Sequence, residues 1–210
     1  MRQNKPFFLG LTGGVGCGKS MILRILKERY DAEVIEADRL AEELCLPGTD
    51  LYREIREAFP EDILYTKDCR MDRAAFSKLV FSEKKKRNQL NQLVHPAVKR
   101  YIINRLETLR KTGEKEIFVL EAALLFEDGY DRICDEIWTV SSGEAARRER
   151  LKSSRGYSDE RIDAVLRSQH PDEWYRERAD AVIENNGSKE DAAVFVEKCV
   201  RERIYERETD

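Results

Sequence analysis

Gly13, Gly14, Gly16 and Gly18, followed at once by Lys19 and Ser20, are the residues whose types and spacing suit chemistry best. Gly13-x-x-x-x-Gly18-Lys19-Ser20 is the spacing of a phosphate-binding loop. Glycines let such a loop wrap with its N–H groups turned inward, and the N-terminus of the following helix adds partial positive charge. Lys19 is then placed for the β and γ phosphates of a nucleotide, and the Ser20 hydroxyl for Mg²⁺. The candidate nucleotide site is Gly13, Gly14, Val15, Gly16, Cys17, Gly18, Lys19, Ser20 and Met21. The alternative is a glycine-rich strand-to-helix turn without a ligand. Cys17 adds an expectation of its own. It is either a small neutral filler whose main chain alone matters or, if its thiol faces the same N–H groups, a stabilised thiolate that a bound nucleotide protects from thiol reagents.

A phosphate loop names a nucleotide, not a reaction. GTPases carry Asn/Thr-Lys-x-Asp and Asp-x-x-Gly motifs, and neither occurs; Thr66-Lys67-Asp68-Cys69 has its acid one position early. ATP is therefore expected. Transfer to a small acceptor needs a base, and Asp38, in VIEADRLAEE (34 to 43), is suited to that role. It lies just past the second candidate strand, at the sheet edge where ligands of doubly wound folds collect. A helix N-cap aspartate is the competing reading.

The elements that must position these residues follow from periodicity. Phe7 to Leu11, Glu33 to Glu36, Ile117 to Glu121, Glu136 to Val140 and Ala181 to Glu184 are short apolar runs, as buried parallel strands are. Amphipathic stretches separate them, among them Met21 to Tyr30, and Ala192, Phe195, Val196, Cys199, Val200 and Ile204 on one helical face. The class is α/β, a parallel sheet flanked by helices. Between the second and third strands the chain reads as helices alone, a helical insertion over 39–111, with the core at 1–38 and 112–210. Pro96 lies within an apolar helical series, so a helix restarts or kinks there. The run Glu83 to Arg87 reads as a solvated helix face, and Arg147 to Arg155 as a solvated basic helix or, directly after the fourth strand, a lid.

Composition excludes several classes. With 38 basic and 41 acidic side chains the net charge is −3, so no global field favours nucleic acid or an anionic membrane. Five cysteines without paired spacing and two histidines point to reduced thiols in the cytoplasm and no zinc site. No apolar run is long enough for a signal peptide or a bilayer span.

LGLTGGVGCGKS (9 to 20), EAD (36 to 38), LPG (46 to 48), MDR (71 to 73), LNQLVHP (90 to 96), ALLFE (123 to 127), Arg150-Leu151, Gln169 and ADAVIENNGS (179 to 188) follow one another in order. Together they resemble the dephospho-coenzyme A kinases. The resemblance implies a nucleoside-kinase-like phosphate-loop core, a helical substrate domain, and a lid over about 142–170. It implies ATP-dependent phosphorylation of the ribose 3′-hydroxyl of dephospho-coenzyme A, with ATP and Mg²⁺, a small-molecule partner, and no nucleic acid, membrane or obligate protein partner. Carried onto this chain, Asp38 is the base, and Lys19 and Arg150 neutralise the transferring phosphoryl group. Arg73, His95 and Leu124 join Asp38 in holding the acceptor, and Asn185 and Gly187 border the adenine.

Several positions depart from that pattern. Glu36 and Glu184 stand where aspartate is common, Ala123 for proline, Met21 for threonine, and Cys17 for serine. Glu42 stands for arginine, reversing charge near the proposed base, and Ser154 for a second lid arginine, with Arg155 one place later. Two alternatives stay open: another small-molecule kinase for a nucleoside or nucleotide, and a nucleotide-binding regulatory module without turnover.

Overall fold

Phe7–Thr12 forms β1 at the centre of the sheet, with Phe8, Leu9 and Leu11 fully buried, because a strand covered on both faces needs an unbroken apolar run. The sheet order is β2-β3-β1-β4-β5, with β2 at Glu33–Glu36, β3 at Ile117–Glu121, β4 at Glu136–Ser141 and β5 at Ala181–Glu184. β1 pairs in parallel with β3 and β4, and β4 with β5. All five expected strands are present, β1 and β4 each one residue longer than the apolar runs suggest. Parallel pairing brings the carboxyl ends together, with Leu11 opposite Glu121, Thr12 opposite Thr139 and Ser141 opposite Glu184.

The computed structural model describes residues 6–206. They fall into two compact units, one formed by the chain up to Val34 and from Leu109 onward, the other by Ile35–Thr108.

In the first unit, α1 (Lys19–Tyr30) buries Ile22, Leu23, Ile25 and Leu26 in the core formed with Leu9, Leu11, Val119, Trp138, Val140 and Ile183. After β4 come α6 (Glu144–Arg155), α7 (Asp159–Arg167) and the short α8 (Asp172–Arg176), and α9 (Lys189–Cys199) follows β5. Beyond α9 the chain widens into one π-helical turn, Val200–Tyr205, which a 3.6-residue apolar period does not signal. Ala192, Val196, Cys199 and Val200 nonetheless all enter the core, as their spacing suggests.

The second unit is helical: α2 (Ala37–Leu44), α3 (Asp50–Ala58), one 3₁₀ turn (Asp62–Leu64), α4 (Arg73–Ser82) and all but the last turn of α5 (Lys84–Thr112). Thr49 and Asp72 cap α3 and α4 by accepting from main-chain N–H groups of the first turn. Its core gathers Leu51, Ile55, Phe59, Leu64, Phe76 and Ala97, with Phe76 edge-on to Phe59 and Tyr65 at 5.7 Å. α5 runs unbroken through Pro96, which removes one N–H from the ladder without restarting the helix. Residues Glu83 to Arg87 are solvated as expected, Lys86 alone being half-buried.

Candidate active site

The loop between β1 and α1 has the backbone its glycines allow. Gly13 (φ 130°), Gly16 (φ 77°) and Gly18 (φ 97°) are all left-handed. At Gly13 a side chain is doubly excluded, since a Cβ there would lie 2.4 Å from the Val140 carbonyl oxygen. Gly18 is the N-cap of α1, so Lys19, Ser20 and Met21 form its first turn, whose N–H groups lie where an anion binds. Lys19 Nζ donates to the Gly13 carbonyl oxygen at 2.8 Å and lies 3.6 Å from Glu121 Oε1. Ser20 is exposed, while the half-buried Met21 packs on the core.

Side chains distant in sequence hold this loop from outside. Arg147 Nε donates to the Val15 carbonyl oxygen at 2.9 Å, and its NH2 to Gln169 Oε1 at 3.1 Å. The same Gln169 oxygen accepts from the Val15 N–H at 2.9 Å. Arg150 NH1 donates to the Cys17 carbonyl oxygen at 3.1 Å and Ser142 Oγ at 2.8 Å, and its NH2 to the Asn185 carbonyl oxygen at 2.8 Å. Asn185 is buried, and its Nδ2 donates to the Cys17 carbonyl oxygen at 2.7 Å. Asn185 Oδ1 is buried with no donor among the described residues.

The structure thus gathers the loop, Arg150 and Asn185, and it turns Arg147 and Arg150 away from the solvated helix face that one reading of Arg147 to Arg155 implied. Ser154 donates back to the Arg150 carbonyl oxygen, and Arg155 lies 6.0 Å from the Tyr157 ring at the end of α6. Gly187 lies just before the capping box of α9, in which Ser188 and Asp191 bond reciprocally, and a Cβ at Gly187 would lie 2.5 Å from Asp191 Oδ2. Ser188 of the Asn-Gly-Ser sequence therefore does serve as a helix cap. Leu124 is half exposed in the turns that follow β3.

Asp38, Arg73 and His95 belong to the second unit. Asp38 is exposed in the first turn of α2, whose N-cap is Glu36, so the N-cap reading of Asp38 does not hold. Arg73, the first residue of α4, pairs with Glu42 at 2.6 Å, so the reversed charge at position 42 has a basic partner. His95 is half-buried on α5.

Cys17 corrects an expectation. Its thiol points into the core, 1% exposed, and burial raises its pKa above the ordinary 9.0 against the lowering effect of Lys19. Loop spacing places the main chain at position 17 but does not say which way the side chain turns.

Glu121, Arg147 and Gln169 are the site residues that sequence reasoning missed or left without a role. Glu121 carried a signal, being an acid at the carboxyl end of a buried strand. Gln169 stood in the family resemblance without a role and Arg147 in a basic run, because they act on main-chain atoms 154 and 132 positions away. Among the described residues no three His, Cys, Asp or Glu side chains gather as a metal site, and no helix is long and apolar enough to cross a membrane.

The family model for dephospho-CoA kinase matches residues 7–191. The dephospho-CoA kinase of Carboxydothermus hydrogenoformans is 39% identical over 182 residues, covering 87% of each chain. The solved structure of TT1252 from Thermus thermophilus superposes with a TM-score of 0.79 at 32% identity, covering 94% of this chain and 98% of that one. A dephospho-CoA kinase structure from Campylobacter jejuni, at 24% identity and a TM-score of 0.69 over 95% and 98%, shows the same fold. With its phosphate loop, its parallel sheet and these similarities over most of its length, the chain belongs to the dephospho-CoA kinase family.

Proposed function

We propose that the protein transfers the γ-phosphoryl group of ATP to the ribose 3′-hydroxyl of dephospho-coenzyme A, giving coenzyme A and ADP. The family match over residues 7–191 carries this reading. Asp38 accepts the 3′-hydroxyl proton as that oxygen bonds to the γ phosphorus. The bond from the γ phosphorus to the β–γ bridging oxygen breaks, and ADP leaves. Phosphoryl transfer asks a protein chiefly for positioning and charge neutralisation, which the loop N–H groups and Lys19 supply. Arg73, His95 and Leu124 hold the acceptor. Asn185 borders the adenine, and its buried, unpartnered Oδ1 suits the amine of the base.

Arg150 contributes through the loop. Its guanidinium is engaged by the Cys17 and Asn185 carbonyl oxygens and by Ser142. Mg²⁺ fits a site of this kind, which keeps most of its ligands as water and phosphate oxygen. The exposed Ser20 hydroxyl and the Glu121 carboxylate beside Lys19 would hold it, and bound to the nucleotide it neutralises phosphate charge. The protein works as a soluble small-molecule kinase in the cytoplasm.

The test is ADP release by the purified protein with MgATP and either dephospho-coenzyme A or a panel of nucleosides and nucleotides. Preference for dephospho-coenzyme A supports the reading. Preference for another acceptor, or nucleotide binding without transfer, overturns it.

A further inference from the structure

The amide and carbonyl of one residue at the loop tip, Val15, are both bonded to side chains rather than left for a ligand. Arg147 Nε holds the carbonyl oxygen at 2.9 Å, and Gln169 Oε1 holds the N–H at 2.9 Å. Arg147 NH2 closes the ring by donating to Gln169 Oε1 at 3.1 Å. We infer that Arg147 and Gln169 are positioning residues that lock the two peptide groups flanking the Val15 Cα and so preset the loop for nucleotide phosphates.

The surroundings show a built device. Arg147 and Arg150 are three positions apart on α6 and so share the face turned to the loop. Arg148, on another face, pairs with Glu144 and Asp163 instead. The Arg147 guanidinium lies against Gly14, where a Cβ would stand 2.5 Å from NH2. Gln169 is anchored by its neighbour, for the His170 ring stacks on Trp174 at 3.9 Å and 9°, and His170 Nε2 lies 3.2 Å from Glu127 Oε1. A shared acceptor on the Gly14–Val15 peptide and a charge-assisted donor on the Val15–Gly16 peptide, bonded to each other, hold both planes and so restrict the Val15 backbone between them. Without them the loop tip must be ordered at the moment of binding, and that cost appears in affinity.

This inference rests on the proposed kinase reading only for its kinetic arm. Its test uses the full-length protein, with MgADP affinity by calorimetry, Val15 amide exchange by NMR, and initial rates. Arg147→Ala is expected to weaken MgADP binding and raise the KM for ATP by about 10-fold, with kcat changed less than about 3-fold. Val15 amide exchange accelerates by about 10-fold or more, since its acceptor loses the partner that orients it. Arg147→Lys restores only part of this, because an ammonium lacks the fork that spans both acceptors. Should Arg147→Ala unfold, Gln169→Ala decides by the same readouts. MgADP affinity within twofold of the parent, or unchanged Val15 exchange, in Gln169→Ala overturns the inference. If the parent fails to phosphorylate dephospho-coenzyme A while the variants lose MgADP affinity and Val15 protection, the proposed reaction fails and the positioning role stands.

Discussion

Lys19 Nζ lies 3.6 Å from Glu121 Oε1 in the first unit, joining the start of α1 to the end of β3. A lysine so held is already extended along the loop, where it also donates to the Gly13 carbonyl oxygen at 2.8 Å. It meets phosphate in both ground and transition states. Lys19→Ala is expected to weaken MgATP binding and lower turnover together, by roughly 10²-fold in kcat/KM, as calorimetry and initial rates will show. Normal binding and turnover in this variant would exclude the phosphate-loop reading.

Asp38 opens α2 at its second residue and caps nothing, so its carboxylate is free of a structural duty at the N-cap. Asp38→Asn keeps the shape and removes the proton acceptor. ATP affinity should hold while kcat falls by roughly 10²-fold or more. A variant turning over within a few-fold of the parent shows that another group takes the proton.

Arg73 and Glu42 form an exposed pair at 2.6 Å, with side chains 76% and 53% accessible. Such pairs contribute roughly 0.2–1 kcal/mol, so Glu42 competes only mildly with an anionic acceptor for Arg73. Glu42→Gln should lower the KM for dephospho-coenzyme A by about twofold to fivefold and leave that for ATP unchanged. Arg73→Ala should raise the acceptor KM. An acceptor KM that is unchanged or higher in Glu42→Gln removes Arg73 from the acceptor site.

The thiols give a pH-dependent prediction. Burial raises Cys17, and pushes Cys45 up to about 11, Cys134 to about 12 and Cys199 to about 11, from an ordinary 9.0. The thiolate is the reactive form, so these four are almost wholly protonated at pH 8, and raising the pH speeds their modification progressively towards their raised values. Cys69 is the exposed one. Brief alkylation at pH 8 followed by peptide mapping should find Cys69 modified first and Cys17 scarcely at all, with or without MgATP. Rapid, MgATP-protected modification of Cys17 would contradict the buried thiol.

Much of this was legible in the sequence, for physical reasons that differ between elements. The three central strands, β1, β3 and β4, are buried on both faces and so had to be written as apolar runs; the loop needs left-handed backbone at Gly13, Gly16 and Gly18, so its spacing shows in the glycines. Helices alone separate β2 from β3, as their amphipathic spacing indicated. What stayed hidden has no local periodicity. Arg147 in a run of charges reads as a solvated residue until the fold brings Val15 to it across 132 positions. Cys17 was misjudged because loop spacing says nothing of side-chain direction. Pro96 suggested a restart or a kink, and the restart does not occur, because the rest of the 29-residue α5 carries the helix past one missing N–H.

The central claim is a transfer, and it is tested most directly by following the phosphoryl group. With γ-labelled ATP, Mg²⁺ and dephospho-coenzyme A, the label should move to the 3′-phosphate of coenzyme A, one label for each ADP released. Label recovered as inorganic phosphate, or retained on ATP while the protein binds it, would contradict the account.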